Sequence, residues 1–173
     1  MKYSWIIFFG ILFVSCNNSE ARRPINKQKS SKKDFSIELN KQIRAAEEQR
    51  IQKYIERDTV LNYEYSPFGF AYAITKTSTK PQQEILKTSV LSFEKTVYTL
   101  DNQMVYSKEV IKSRLEGSNL ITGIREGVKL MREDEEIKFI FSSFVAHGFH
   151  GDESKIGANT PIVVKIKLLN INN

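Results

Sequence analysis

Near the C-terminus, IVVKIKLLNI at 162–171 is an apolar run interrupted at every second place by Lys165 and Lys167. A period of two belongs to a strand with one face on a core. IKFIF at 137–141 repeats the pattern, with apolar residues at 137, 139 and 141. FGFAYAITKT at 68–77 and KTSVLSFEKTVYTL at 87–100 have the same aromatic and β-branched character, and in the second of them Val90, Phe93, Val97 and Tyr98 are the expected inward positions. LDNQ is a turn signal, and MVYS at 104–107 returns as a short strand to close a hairpin. A less regular stretch is expected from there to Asn119. Such strands need a cover, and LITGIREGVKLM at 120–131 supplies it, with Ile121, Ile124, Val128 and Met131 at helical spacing. REDEE reads as a solvated charged turn and SSFVAHGFHGDESKIGANTP as a long loop. Four or five strands with one short helix packed on them make an α+β fold.

The N-terminus has a different texture. MKYSWIIFFGILFVSC carries one Lys and then an apolar run from Trp5 to Val14. That run is short for a bilayer span, which takes ~20 apolar residues, and has the length of a signal-peptide core. Ser15-Cys16 at its end resembles a bacterial lipobox, although Phe13 stands where Leu is commoner. Cys16 is the only Cys of the chain, so it has no partner for an internal disulfide. Residues 1–15 are therefore expected to be a lipoprotein signal peptide, with Cys16 lipidated and the mature chain held at a membrane of the cell envelope; an ordinary signal peptide or an uncleaved anchor are the alternatives. Each buried acyl methylene contributes ~0.8 kcal/mol to such an anchor.

The formal charge of +6 has a local origin. Residues 17–33 carry a net +5, whereas Asp34 onward is balanced at zero. The excess lies in a polar, Pro-containing stretch that reads as a solvated, disordered tether over 16–33. The remainder has no basic bias, which argues against nucleic acid as a partner. DFSIELNKQIRAAEEQRIQKYIERD, 34–58, has no Gly or Pro and is expected to be helical within an N-terminal segment 34–60, capped by Ser31 or Asp34. Its apolar stripe of Phe35, Leu39, Ile43, Ala46, Ile51 and Ile55 is thin, so the helix should lean on the domain or on an envelope-protein partner.

The order Leu120-Ile121, Gly123, Ile124, Glu126-Gly127, a charged turn, a strand, Ala146-His147-Gly148, Pro161 and an alternating last strand resembles the FKBP-type peptidyl-prolyl cis-trans isomerases. The resemblance covers about 66–171, giving an FKBP-like domain over 66–173. Together with the lipobox, the preceding helix and GDESKIGANTP, it is similar to membrane-anchored isomerase lipoproteins associated with gliding motility. It implies an antiparallel sheet wrapped on one short helix, proline-containing polypeptide clients and no cofactor. It also implies a pocket in which Tyr106 replaces a wall Phe and Val164 another Phe. Leu120 and Ile121 would meet substrate through their backbone, Ile124 takes the place of a Trp floor, and His147 that of a Tyr hydroxyl donor. Ser107 stands where an Asp usually follows the wall residue. Tyr98 is expected as a second aromatic wall, and counting back from Tyr106 leaves Thr96 as the other reading. Phe149 would either cover the rim or make a small satellite core contact. The aliphatic floor weakens the grip on proline, which keeps two other readings open: a binding module or chaperone with little catalysis, and a structural envelope lipoprotein.

Rotation about a peptide bond faces a barrier of ~18–20 kcal/mol from amide conjugation. A dry apolar site favours the twisted amide, which is less charge-separated than the planar one, and no bond is made or broken. The absence of a Ser-His-Asp set is thus compatible with an enzyme. His147 and His150, three residues apart with Asp152 and Glu153 nearby, are the one conceivable metal pair, but no third ligand stands at a diagnostic spacing. His147 as a ring N–H donor and His150 as exposed loop is the better reading.

Overall fold

The computed structural model describes residues 27–173, with side chains from Lys33 onward. The expected signal peptide, Cys16 and the tether up to residue 26 lie outside the described residues. The chain divides into two units, Met1–Ile37 and Glu38–Asn173. Of the first, the described part is the beginning of a helix, α1, which spans Lys27–Arg57. It starts seven residues before the expected position, because KQKSSKK contains good helix formers and nothing that breaks a helix. All that follows concerns the second unit.

The elements after α1 are β1 (Glu64–Ser66), β2 (Phe70–Lys76), β3 (Val90–Tyr98), β4 (Met104–Arg114), α2 (Thr122–Val128), β5 (Glu136–Phe141), a 3-10 turn at Ser143–Val145 and β6 (Ile162–Asn172). The strands form one six-stranded sheet in the order β1-β2-β5-β6-β3-β4, antiparallel at every pairing. This is the expected FKBP-like α+β arrangement with one more strand than anticipated, the three-residue β1.

β4 corrects the expected irregular stretch, continuing as strand to Arg114. It is an edge strand, mostly exposed, so little hydrophobic alternation marks it. Polar pairs bind it instead: Lys108 Nζ lies 2.6 Å from Glu94 and Lys95 Nζ 3.1 Å from Glu109. REDEE is also less solvated than expected. Glu135 is buried and accepts the Arg132 N–H at 2.9 Å, while Glu133 accepts the Ile171 N–H at 2.7 Å.

The sheet has two apolar faces. On one, α2 lies on Phe139 and Phe141, in one cluster with Phe93, Val97, Val164, Ile166 and Leu168. On the other, Ile51 and Tyr54 of α1 pack on Ala71, Ile140 and Val163. Consecutive residues on β5 and β6 go to opposite faces, as the pleat requires. Leu39, farther toward the start of α1, is 46 % exposed, so the thin stripe is used only in part.

The contact of α2 with the sheet depends on absent side chains. A Cβ on Gly123 would stand 2.5 Å from the Phe141 ring, and one on Gly127 2.8 Å from Phe139. The two rings stack with centroids 5.3 Å apart. Gly123→Ala gains up to ~1 kcal/mol in helix propensity but overpacks a fully buried ring, at ~1–3 kcal/mol. A net loss of stability is expected in urea unfolding. A midpoint at or above wild type would show that α2 does not rest on Phe141.

Candidate active site

Register places a row of side chains across the α2 face. Tyr72 pairs with Phe139, Phe139 with Val164, Val164 with Val97, and Val97 with Tyr106. Above this row α2 brings Ile124, buried at 3 % exposure, with Ile121 and Leu120 half-buried at its start. Tyr106, Leu120, Ile121, Ile124, Val164 and Ala146 thus belong to one cluster. The carbonyl of Ile121 accepts the Arg125 N–H at 3.1 Å. This fixes the backbone at the mouth of the helix, where N–H groups have no intrahelical partner.

The loop after β5 closes the site. Its 3-10 turn leads to Ala146, then to His147, half-buried, and Gly148 at φ 65°. Burial pulls the His147 pKa below 6.5; Asp152 opposes that shift and Lys95 adds to it. His147 is therefore held toward its neutral form, which has one ring N–H to donate.

Asp152 ties the loop to the strands. Tyr106 donates its hydroxyl to Asp152 Oδ2. Asp152 Oδ1 accepts the N–H groups of Ser154 at 3.0 Å and Ile156 at 2.7 Å. Burial would raise this carboxyl's pKa, but the Tyr106 bond and the two backbone bonds outweigh it and hold the group at about 2. Lys155 lies over the Tyr106 ring, its Nζ 5.1 Å from the centroid, and reaches the Val105 carbonyl at 3.3 Å. The tight turn before Asp152 requires glycine, since Gly151 has φ 72° and a Cβ there would stand 2.1 Å from the Ile156 carbonyl.

Three expected positions lie elsewhere. Tyr98 joins the α1 face, packed near Leu100 with Lys165 Nζ 5.2 Å from its ring. Val97 faces the row, so its neighbour on the strand must point away. Val97 therefore takes the wall place, rather than Tyr98 or Thr96. Ser107 is exposed, in the irregular register where Lys95 pairs with Glu109 but Val97 with Tyr106. The carboxylate expected beside the wall residue comes instead from Asp152, across the loop. Phe149 is 70 % exposed, meets His150 edge-on, and lines a groove of about 430 Å³ with Arg44, Glu47, Tyr65 and Phe144. That groove is bounded by α1 and contains none of Tyr106, Ile121, Ile124 or His147. Among the described residues no group of three His, Cys, Asp or Glu side chains is placed to hold a metal ion.

Asp152 and Val97 are the residues that sequence reasoning missed in these roles. The sequence signal for the turn at Asp152 is Gly151 directly before it.

Comparison with known proteins gives the same architecture. The chain is similar in structure to FkpA from Escherichia coli, with a TM-score of 0.60, 16% identity, and coverage of 88% of this chain and 75% of that one. It is also similar to a peptidyl-prolyl cis-trans isomerase from Pseudomonas syringae pv. tomato, with a TM-score of 0.62, 17% identity, and coverage of 75% and 96%. No curated protein sequence matches it. The family model described as FKBP-type peptidyl-prolyl cis-trans isomerase matches residues 80–169, just over half of the chain, from before β3 to near the end of β6. The chain therefore belongs to the FKBP-type peptidyl-prolyl cis-trans isomerases.

Proposed function

We propose that this isomerase acts on X–Pro bonds of exported or envelope proteins, and does so by holding a twisted amide against the Val97–Tyr106–Val164 wall beneath Leu120, Ile121 and Ile124. The observation that supports this reading most is the gathering of Tyr106, Ile121, Ile124 and Val164 in one cluster, with His147 on the loop beside them. Apolar walls take the prolyl ring and exclude water. The backbone at Leu120-Ile121 and the His147 ring N–H hold the substrate carbonyls. Tyr106 has its hydroxyl committed to Asp152, so it serves as wall and loop anchor. No group needs to be reactive; stronger contact with the twisted than with the planar bond suffices.

Delivery to envelope clients rests on the segment before the fold: an apolar N-terminus ending in Ser15-Cys16 and a basic tether. Lipidation of Cys16 would confine the domain to a membrane surface. A role in an envelope machine such as the gliding apparatus, with α1 as the docking element, is the narrower form of this proposal. The second reading, a binding module, is favoured by Ile124, which gives the floor an aliphatic side chain.

In a protease-coupled assay on an X–Pro peptide, the wild type is expected to accelerate isomerisation above the uncatalysed rate. Equality with that rate leaves the binding module. His147→Ala removes one hydrogen bond, worth ~1 kcal/mol, and should lower kcat/KM about fivefold; Tyr106→Phe keeps the wall and should have a smaller effect.

The protonation of the donor is checked separately. Because the folded pKa of His147 lies below 6.5, its contribution to stability is full above pH 6.5 and is lost as pH falls through the lowered value. An NMR titration should place the His147 midpoint below 6.5, and Asp152→Asn, which removes the carboxylate that opposes the shift, should lower it further. A midpoint at or above 6.5 would contradict the burial of this ring.

Membrane anchoring has its own test. The full chain expressed in a bacterial host that processes lipoproteins should fractionate with membranes and incorporate labelled palmitate, and Cys16→Ser should abolish the label. Label retained in the Cys16→Ser chain would refute lipidation at that residue.

A further inference from the structure

Glu47 lies on α1, outside the family-matched residues 80–169, and is only 6 % exposed. Both of its oxygens are taken by one residue on the other side of the fold. Oε1 accepts the Ser143 backbone N–H, and Oε2 accepts the Ser143 hydroxyl at 2.7 Å. Both donors are neutral, so the carboxylate's burial is offset by charge-assisted hydrogen bonds whose geometry is narrow. Ser143 opens the 3-10 turn, and the residue before it, Ser142, gives that turn no side-chain cap. Glu47 supplies the cap from a distant element.

The turn leads directly into the active-site loop. The Ser143 carbonyl accepts the Ala146 N–H at 3.1 Å and the Gly148 N–H at 2.7 Å. These two amides stand on either side of His147. Gly148 in turn accepts the Asn159 N–H at 2.9 Å, which draws in the far end of the loop. A chain of hydrogen bonds thus runs from one buried carboxylate to the backbone that presents His147. Near-attack geometry is sensitive at this scale, since a displacement of about 1 Å can cost about a hundredfold in rate.

We propose that Glu47 is a positioning residue for the isomerase reaction: its carboxylate fixes Ser143 and, through the Ser143 carbonyl, the backbone on both sides of His147. The proposal rests on the reading of His147 as part of the substrate wall, and it makes the N-terminal helix a component of the catalytic unit.

The test uses the full chain with Glu47→Ala, Glu47→Gln and Glu47→Asp beside Ile55→Ala, which trims apolar packing of the same helix without touching Ser143. Glu47→Ala should lower kcat/KM about tenfold and move the amide resonances of Ala146, His147 and Gly148. Glu47→Gln keeps an acceptor for the Ser143 N–H and an amide for its hydroxyl, so it should recover to within about threefold of wild type. Glu47→Asp is too short to reach both and should not recover. Ile55→Ala should lose stability while keeping kcat/KM and those resonances. Wild-type kcat/KM in Glu47→Ala, or equal losses and equal shifts in Glu47→Ala and Ile55→Ala, would overturn the proposal. Should Glu47→Ala not fold, Ser143→Ala deletes the hydroxyl donor alone; it should move the Gly148 amide and cost about threefold, and an unmoved amide with full activity would overturn the proposal. A wild type without isomerase activity would defeat the substrate-wall reading, while the amide shifts would still report whether Glu47 holds the loop.

Discussion

Two glycines one turn apart, Gly123 and Gly127, let α2 lie directly on the stacked rings of Phe141 and Phe139. Most of the site's geometry depends on this approach. A helix raised by the width of a methyl group would lift Ile121 and Ile124 away from the row formed by Val164, Val97 and Tyr106. The close contact also explains the shortness of the helix. Its seven residues would be marginal alone in water, and burial against the sheet is what makes them helical. The sheet and the helix therefore specify one another.

Against this rigid part stands a loop with little regular structure. Between β5 and β6, Gly148, Gly151, Glu153 and Asn159 all have positive φ, between 50° and 72°. A chain with four such residues does not hold its shape through helix or strand ladders. It is fixed at two places by carboxylates: Asp152, which joins the loop to Tyr106 and to its own backbone, and Glu47, which reaches the turn from behind. Both anchors act through hydrogen bonds in partly dry surroundings, where an unmet partner is costly. The α2 face and its loop thus combine hydrophobic packing with polar stitching.

The packing half was legible in the sequence and the stitching half was not. Alternation at 137–141 and 162–171 gave the central strands, and the spacing of Ile121, Ile124, Val128 and Met131 gave the helix, because burial on one face imposes those periods. β4 beyond Ser107 was missed because an edge strand has no such period to impose. The side of the sheet taken by Tyr98 was misread for a related reason: Val97 and Tyr98 cannot both face inward on one strand, and composition does not choose between them. Gly151 marks the turn at Asp152, but nothing local marks its bond to Tyr106, 46 residues away, or that of Glu47 to Ser143, 96 residues away.

The same division accounts for the place of α1. The family-matched segment holds the strands after β2, the short helix and the loop, yet the loop's turn is capped from outside that segment. Ser142, the residue before the turn, gives it no side-chain cap. Here Ser142 donates its hydroxyl to the Gly69 carbonyl at 2.9 Å instead, joining the loop to the strand pair beside it. The turn's own N-terminal donors are left to Glu47, and Ile51 and Tyr54 keep that residue in place by packing on the second face of the sheet. The helix that leads toward the N-terminus is therefore attached, through one buried carboxylate, to the turn that leads to His147.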